Sequence, residues 1–263
     1  MRSFGIVTLC LLLAGSLTGQ YGRMVWNDEF DGITGVPDPS KWSYEIGNGC
    51  PDNCGWGNNQ LEYYTDASMN SRIENGLLII EAHRQSMGGL LYSSAKINTR
   101  QSGSWKYGRI DVRARLPRGR GTWPAIWMLP THWKYGGWPH SGEIDIMEHV
   151  GWAQDSLFGT VHTQNYNHVA GTQKGRTIHV PDISLHFHVY SIIWDKDKID
   201  FLIDDKKYFT FDNDGRGPDS WPFDQEFYLI LNVAVGGNFG GVRGVDNEIW
   251  PQRMEVDYVR VYQ

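Results

Sequence analysis

The stretch Ile192-Ile-Trp-Asp-Lys-Asp-Lys-Ile-Asp-Phe201 has the pattern of two β-strands joined by a tight turn. Apolar and aromatic residues stand at both of its ends, and a run of charged residues separates them. A short polar turn between runs rich in Ile, Trp and Phe is typical of an antiparallel hairpin. We therefore predict a β-hairpin at this place in the chain.

Similar short apolar runs recur along most of the chain, and Gly, Pro, Asn or Asp bounds each of them. Long stretches of helical periodicity, internal repeats and linkers are missing from the sequence. Many short strands with turn signals between them predict an all-β domain of two packed antiparallel sheets. The predicted strands are Leu77–Ala82, Ser104–Arg115, Ala125–Leu129, Glu143–Met147, Phe158–His162, Phe187–Trp194, Lys198–Ile203, Phe227–Val233 and Met254–Tyr262.

Aromatic residues are abundant, with 12 Trp, 13 Tyr and 10 Phe among 263 residues. Such rings fit the pleated surface of a β-rich core, and flat rings also stack on the apolar faces of sugars. Both uses are open in one chain. The net charge of −6 argues against nucleic acid as a partner, since nucleic-acid binding requires a basic surface.

The N-terminus has the features of a signal peptide over residues 1–19. Arg2 precedes an apolar run over residues 4–14, and small and polar residues follow it up to Gln20. The run is too short to cross a membrane. We therefore expect a secreted protein without a membrane anchor, in which residues 20–263 form one domain.

Removal of the signal peptide leaves two cysteines, Cys50 and Cys54, in a turn-rich loop. In an exported protein, cysteines this close are expected to form a disulfide. A metal site is the weaker alternative, because no second Cys/His pair stands at zinc-like spacing.

The segment Ser141-Gly-Glu-Ile-Asp-Ile-Met-Glu-His-Val150 carries three carboxylates within one predicted strand. Glu143 and Asp145 are two residues apart and therefore share a face of the strand. Glu148 is five residues from Glu143, which in a regular strand places it on the opposite face. One extra residue in a bulge near Ile146 or Met147 would return Glu148 to the same face.

Three carboxylates on one strand face repel one another and favour shifted pKa values. Clustered carboxylates also bind calcium, but the apolar residues between them favour a buried strand under a cleft. Paired carboxylates perform glycoside hydrolysis, and a retaining enzyme places them about 5–5.5 Å apart. We predict Glu143 as the nucleophile, Glu148 as the acid/base and Asp145 as the residue that orients Glu143.

The hexad Glu143–Glu148 resembles the active-site signature of glycoside hydrolase family 16, in its bulged Glu-x-Asp-x-x-Glu form. The resemblance covers essentially the whole mature chain and implies a β-jelly roll with a substrate cleft across its concave sheet. The bulged hexad is similar to that of the laminarinases, which are endo-β-1,3-glucanases, and differs from the shorter motif of lichenase-like relatives. Further similar segments, in family order, are residues 26–30, 57–65, 107–109, 121–130, 159–163, 231–237 and 256–262.

The resemblance also implies residues that bind substrate. Trp123 and Trp127 correspond to rings that floor the subsites before the cleaved bond, although core packing is an equal alternative for one of them. Asn59, Arg109 and His162 correspond to polar contacts with sugar hydroxyls. For His162, a hydrogen bond that orients a catalytic carboxylate is the alternative.

Catalysis of this kind needs no cofactor, but the resemblance implies a structural calcium ion on the convex side. Asp257 corresponds to its carboxylate ligand, and backbone oxygens near Glu29 and Gly76 would complete the site. The Cys50–Cys54 loop lies just before a sugar-contacting segment and is expected to shape the far end of the cleft.

Three alternatives concern the reaction and the substrate. The same chemistry serves mixed-linkage glucan, agar, carrageenan and xyloglucan, and loops such as residues 131–140 decide which glycan fits. This loop carries Trp133, Tyr135 and Trp138 and is predicted to form a cleft wall. Transglycosylation and a non-catalytic glucan-binding protein are further alternatives, although binding proteins of this type lose the acidic residues that this chain has. Nothing in the sequence suggests oligomerisation, so we expect a monomer.

Overall fold

The predicted hairpin is confirmed by a computed structural model that describes residues 22–263. Strands His188–Trp194 and Lys198–Ile203 pair antiparallel, with Ile192 opposite Phe201. The expected signal peptide lies outside the described residues, as does Cys10.

Within residues 22–263 the chain forms eighteen strands and very little helix. The short helical segments are two 3-10 turns, Cys54–Gly57 and Gly151–Ala153, and one helical turn, α1 (Gly237–Gly240). The strands are β1 (Met24–Asp28), β2 (Thr34–Gly35), β3 (Ser43–Tyr44), β4 (Glu62–Tyr64), β5 (Ser71–Glu74), β6 (Leu77–Ala82), β7 (Tyr92–Ser94), β8 (Lys96–Asn98), β9 (Gly108–Arg115), β10 (Thr122–Pro130), β11 (Glu143–Glu148), β12 (Ser156–His162), β13 (Lys174–His179), β14 (His188–Trp194), β15 (Lys198–Ile203), β16 (Lys206–Asp212), β17 (Phe227–Val235) and β18 (Gln252–Tyr262).

Two antiparallel sheets pack face to face as a jelly-roll sandwich. The convex sheet has the order β16-β15-β14-β9-β18-β6-β5-β2, and β1 also pairs with β18. The concave sheet has the order β13-β12-β11-β10-β17-β8-β3. The strand that carries the three carboxylates, β11, therefore lies inside the concave sheet, between β10 and β12.

Alternation along the strands decides which side chains enter the core. On β9, Ile110, Val112 and Ala114 are buried in the core between the sheets. The residues that alternate with them along β9, including Arg109 and Asp111, consequently point to the outer face of the convex sheet. Each large apolar side chain buried in this way contributes about 1.5–3 kcal/mol to folding.

All nine predicted strands are present, with ends shifted by a few residues; the largest shift is at β9, which begins at Gly108. The strands that the pattern did not predict are short or strongly polar. For example, β13 is an exposed edge strand, and β16 begins with two lysines. Such strands bury little apolar surface, so the alternation that marks a strand in sequence is weak in them.

None of the helices formed by the described residues is long and apolar enough to cross a membrane.

Candidate active site

The bulge expected in the acidic strand is present at Ile146. Along the β10–β11 ladder, Met147 pairs with Ile126 and Asp145 pairs with Trp127, so Ile146 has no partner on β10. The extra residue returns Glu148 to the face of the strand that Glu143 and Asp145 share.

The register with β12 shows the same irregularity, because Asp145 pairs with Thr160 and Glu148 pairs with Phe158. In consequence Glu143, Asp145 and Glu148 all line one cleft on the concave sheet. The cleft has a volume of about 600 Å³, which is within the range of specific ligand sites.

Glu143 is held by two polar neighbours. The indole Nε1 of Trp138 donates a hydrogen bond to Glu143 Oε2 at 2.7 Å. On the same strand, a carboxyl oxygen of Asp145 lies within 4.8 Å of a carboxyl oxygen of Glu143. Two carboxyls this close in a buried site repel each other unless one of them holds a proton.

Glu148 has a different neighbour, Trp123, whose Nε1 donates to Glu148 Oε1 at 2.9 Å. Trp123 lines the cleft, yet it is only 9% exposed, and its ring packs edge-on against Phe239. Trp123 therefore belongs both to the cleft and to a small buried aromatic cluster.

Burial raises the pKa of all three carboxyls. It raises the pKa of Glu148 to about 7, although the hydrogen bond from Trp123 lowers it. Burial and the nearby Asp145 together raise the pKa of Glu143 to about 8. The pKa of Asp145 lies well above its ordinary value, because of burial and the charge of Glu148. The site therefore holds protons near neutral pH.

His162 lies beside this cluster, with its Nε2 3.3 Å from Asp145 Oδ2. It is only 6% exposed and lies next to the lining of the cleft. This placement fits the alternative that His162 orients a carboxylate. Ligand atoms of Glu143, Asp145 and His162 lie within 4.8 Å of one another. An imidazole and two carboxyls are a poor donor set for calcium, which takes six to eight oxygen ligands.

Trp127 lines the cleft, and its Nε1 donates to Asn232 Oδ1 at 2.8 Å. Asn232 in turn donates to the hydroxyl of the buried Tyr64 at 3.0 Å. These contacts fix the indole plane of Trp127 in the lining of the cleft, and its contact with a sugar stays a prediction.

Lys96 and Trp56 also line the cleft, although they were not among the residues predicted from the sequence. The Lys96 ammonium lies 4.2 Å from the ring centre of Trp56 and 5.1 Å from that of Trp127. It also pairs with Glu45 at 2.8 Å. Lys96 and Trp56 come from segments that are distant in sequence from β11, so only the fold brings them to the cleft.

The disulfide between Cys50 and Cys54 is present, as predicted. Cys54 begins the 3-10 turn that carries Trp56. The disulfide loop therefore borders one end of the cleft.

Asn59 lies beside the cleft but outside its lining, and its side-chain amide donates to Asn238 Oδ1 at 2.8 Å. Its neighbours Asn58 and Gln60 line the cleft instead. A direct contact between Asn59 and a sugar stays a prediction.

The expectation for Arg109 was wrong. Its strand, β9, belongs to the convex sheet, and its guanidinium pairs with Asp111 at 2.7 Å and with Asp205 at 2.6 Å. The alternation of β9 directs Arg109 to the outer face, on the other side of the sandwich from the cleft.

The three residues expected at a calcium site come close together on the convex sheet. Asp257 is the extra residue of a bulge in β18, and the ladders of β1 and β6 with β18 bring the Glu29 and Gly76 regions near it. The carboxylate of Glu29 is paired with Arg260, and the ligand expected there is its backbone oxygen. Asp257 Oδ2 accepts a hydrogen bond from Arg113 at 2.6 Å, so a cation there would compete with this arginine.

The loop at residues 131–140 forms a wall of the cleft through Trp133 and Trp138. Tyr135 does not line the cleft, because its hydroxyl is hydrogen-bonded to Asp224. This loop also supplies the donor to Glu143, a role of Trp138 that was not predicted from the sequence.

Residues 52–260 match the model of glycosyl hydrolases family 16. The chain belongs to this family. It is 52% identical over 249 residues to a beta-glucanase of Rhodothermus marinus, a match that covers 92% of this chain and 85% of that protein.

Among solved structures, the laminarinase from Rhodothermus marinus superposes with a TM-score of 0.88 at 51% identity, covering 92% of this chain and 97% of that one. A non-specific endo-beta-1,3(4)-glucanase of family 16 superposes with a TM-score of 0.85 at 47% identity, covering 92% and 91% of the two chains. The jelly-roll fold and the family assignment are therefore confirmed.

Proposed function

We propose that this family 16 enzyme is a retaining endo-glucanase that hydrolyses β-1,3-glucan of the laminarin type. The observation that carries the proposal is the bulge at Ile146, which places Glu143, Asp145 and Glu148 together on the cleft floor. The similarity to a laminarinase and to a beta-glucanase supports the same substrate class.

In the first step, the Glu143 carboxylate attacks the anomeric carbon, and the glycosidic bond breaks. Glu148 gives its proton to the departing oxygen, so the leaving sugar is released as an alcohol and a glycosyl ester remains on Glu143. Because burial raises the pKa of Glu148 to about 7, this group holds its proton in weakly acidic solution.

In the second step, Glu148 is a carboxylate and removes a proton from water. The water oxygen attacks the anomeric carbon, the ester bond to Glu143 breaks, and Glu143 leaves as a carboxylate. Two inversions at one carbon retain the β-configuration. A second sugar in place of water would give transglycosylation at the same ester.

Glu143 has to be ionised to attack. Its ionisation depends on which carboxyl, that of Glu143 or that of Asp145, holds the proton of the pair. Two carboxyls within 4.8 Å of each other in a buried site do not both ionise, so the pair holds one proton and one negative charge. In this mechanism Asp145 holds the proton and donates its hydrogen bond to Glu143.

The glucan would lie across the concave sheet, with sugar rings on Trp127 and Trp56. The flat indole of Trp127 offers a stacking face, and Lys96 and Asn98 offer polar contacts for hydroxyls. Mixed-linkage glucan is the second candidate, because a structure similar to this chain is that of a non-specific endo-beta-1,3(4)-glucanase.

A product profile on laminarin, lichenan and agarose, with the anomeric configuration read by proton NMR, tests the proposal. We expect rapid release of β-configured oligosaccharides from laminarin, slower release from lichenan and none from agarose. Release of α-anomers first, or no reducing sugar from any glucan, would contradict it.

Secretion, a monomeric state and a structural calcium ion also belong to the proposal. N-terminal sequencing of the protein from culture medium should find cleavage near residue 19, and light scattering should give a mass near that of one chain. Calorimetry in calcium and in chelator tests the metal. Stabilisation by calcium that Asp257→Ala abolishes would support a site there, and equal melting temperatures would exclude it.

A further inference from the structure

Trp138 is the only described residue outside β11 that has a side-chain hydrogen bond to Glu143. Its Nε1 lies 2.7 Å from Glu143 Oε2, which is a short distance for a bond between an indole and a carboxylate. The bond can form only with a lone pair of Glu143, and it is strongest when that oxygen carries charge.

The position of the Trp138 ring is fixed from both sides. Within the cleft its ring centre lies 5.0 Å from that of His168 and 6.0 Å from that of His162. Behind it, Ser141 Oγ accepts from the backbone N–H of Tyr135 and donates to the carbonyl of Gly136, which closes the loop.

The loop is in turn attached to the segment that precedes β17. Gln225 accepts from the backbone of Lys134 and donates to the carbonyl of Ser141. The hydroxyl of Tyr135 is hydrogen-bonded to Asp224. A tryptophan held in this way keeps its donor in place without the help of bound substrate.

We propose that Trp138 is a positioning residue that places the negative charge of the Glu143–Asp145 pair on Glu143. The inference rests on the proposed function, in which Glu143 is the nucleophile. Glu143 and Asp145 share one proton, and an N–H donor to Glu143 stabilises the arrangement in which the proton is on Asp145. Without the donor, the proton would lie on Glu143 more often, and less enzyme would be able to attack.

Other ionisable groups also face the pair, and they are the same in all the variants compared below. Asp145 and Glu148 contribute from β11, His162 contributes from β12, and His168 contacts the Trp138 ring from the following loop. Tyr228 on β17 lines the same cleft and feels the charge of Glu143.

The test compares two tryptophans that each donate to one glutamate. Trp138→Phe removes the donor to Glu143, and Trp123→Phe removes the donor to Glu148. Loss of either donor destabilises the ionised form and raises the pKa of its glutamate. Because the nucleophile acts ionised and the acid acts protonated, the two substitutions should move opposite limbs of the pH profile of kcat/KM.

For Trp138→Phe we expect the acidic limb to move up by about one pH unit, which is a tenfold change in the ionisation equilibrium. At pH 5, kcat should fall about tenfold or more, while KM for laminaritetraose changes less than threefold. For Trp123→Phe we expect the basic limb to move up and the acidic limb to stay in place. An unmoved acidic limb in folded Trp138→Phe would overturn the inference.

A variant with β-(3-benzothienyl)alanine at position 138 keeps the ring shape and loses only the N–H, so it serves if Trp138→Phe does not fold. It should reproduce the shift of the acidic limb, and a normal profile for it would overturn the inference. The proposed function is checked separately by the unsubstituted protein, since hydrolysis of laminarin with a bell-shaped profile must be present before any limb can move.

Discussion

Carboxylates on the two exposed sheet faces of this protein have opposite partners. On the outer face of the convex sheet buried carboxylates meet cations: Asp111 pairs with Arg109 at 2.7 Å, and Glu255 pairs with Arg253 at 2.8 Å. On the concave face, Glu143 and Glu148 accept hydrogen bonds from neutral indoles. Carboxylates are thus neutralised by arginines on the convex face, whereas carboxyls on the concave face can hold protons.

This difference explains why one face can perform acid–base chemistry. The pKa of Asp200, on the convex sheet, is lowered, because hydrogen bonds from Lys198 and Thr210 outweigh the effect of its partial burial. The pKa of Glu148 is raised to about 7, because burial outweighs the bond from Trp123. A carboxyl that has to donate a proton near neutral pH requires the second environment.

The largest expected effect is on the concave face. Glu143→Ala should lower kcat on laminarin by about 10⁴-fold or more, because the covalent step is lost. With an activated aryl β-glucoside, added azide should restore turnover and give a glycosyl azide of inverted configuration. Asp111→Asn, on the outer face, is the matched control and should keep its activity. A folded Glu143→Ala variant that azide does not rescue would count against the nucleophile assignment.

The next effect is on stability alone. Arg109→Gln removes the cation from the largely buried Asp111, and breaking such a pair costs about 3–5 kcal/mol. We expect the melting temperature to fall by roughly 6 °C or more, while KM and kcat on laminarin stay within about twofold. A several-fold rise in KM would mean that the outer face takes part in substrate binding.

A smaller effect is expected on the cleft floor. Trp127→Ala removes the stacking face, and loss of one such contact, worth about 1–2 kcal/mol, should raise KM for laminarihexaose about tenfold. Trp26→Phe is the control, since Trp26 packs against Trp42 and Trp105 on the convex side. Equal KM values for the two variants would show that the glucan does not lie on Trp127.

The smallest expected effect is on the pH dependence of folding stability, and its sign differs between the two faces. The raised pKa of Asp145 stabilises the fold at low pH, and this contribution is lost as pH rises through the folded pKa. The lowered pKa of Asp200 stabilises the fold at pH values above the pKa of this group in the unfolded chain. This contribution to stability is lost as pH falls through the folded pKa. The melting temperature of Asp145→Asn, measured relative to that of the unsubstituted protein, should increase by about 3 °C between pH 5 and pH 8. Asp200→Asn should melt lower at neutral pH, and this deficit should vanish below about pH 3. Parallel curves for the two variants would contradict the contrast between the faces.

Much of the fold and the core of the site could be predicted from the sequence. The odd spacing of Glu143 and Glu148 required a bulge, and the structure has it at Ile146. Strands with strongly apolar sequences, such as β6 and β15, begin and end where the pattern placed them. These features are local, so neighbouring residues determine them.

Contacts between distant segments could not be predicted. Lys96 reaches Trp56 and Trp127 because β8, the disulfide loop and β10 meet at one end of the cleft. Trp138 reaches Glu143 only because its loop folds back onto its own strand. Arg109 is different, since it alternates with the buried Ile110 and shares the face of Asp111, and this parity already favoured the outer side.

The most direct measurement is to trap the covalent intermediate. In a 2-deoxy-2-fluoro β-glycosyl fluoride of laminaribiose, the fluorine at C2 slows both chemical steps, and the good fluoride leaving group offsets this only in the first step. The glycosyl ester therefore forms and accumulates. After digestion, mass spectrometry should find the sugar on Glu143, within the peptide that contains the bulge. A label on Glu148 or on a residue outside the cleft, or an active enzyme that forms no ester, would contradict the account.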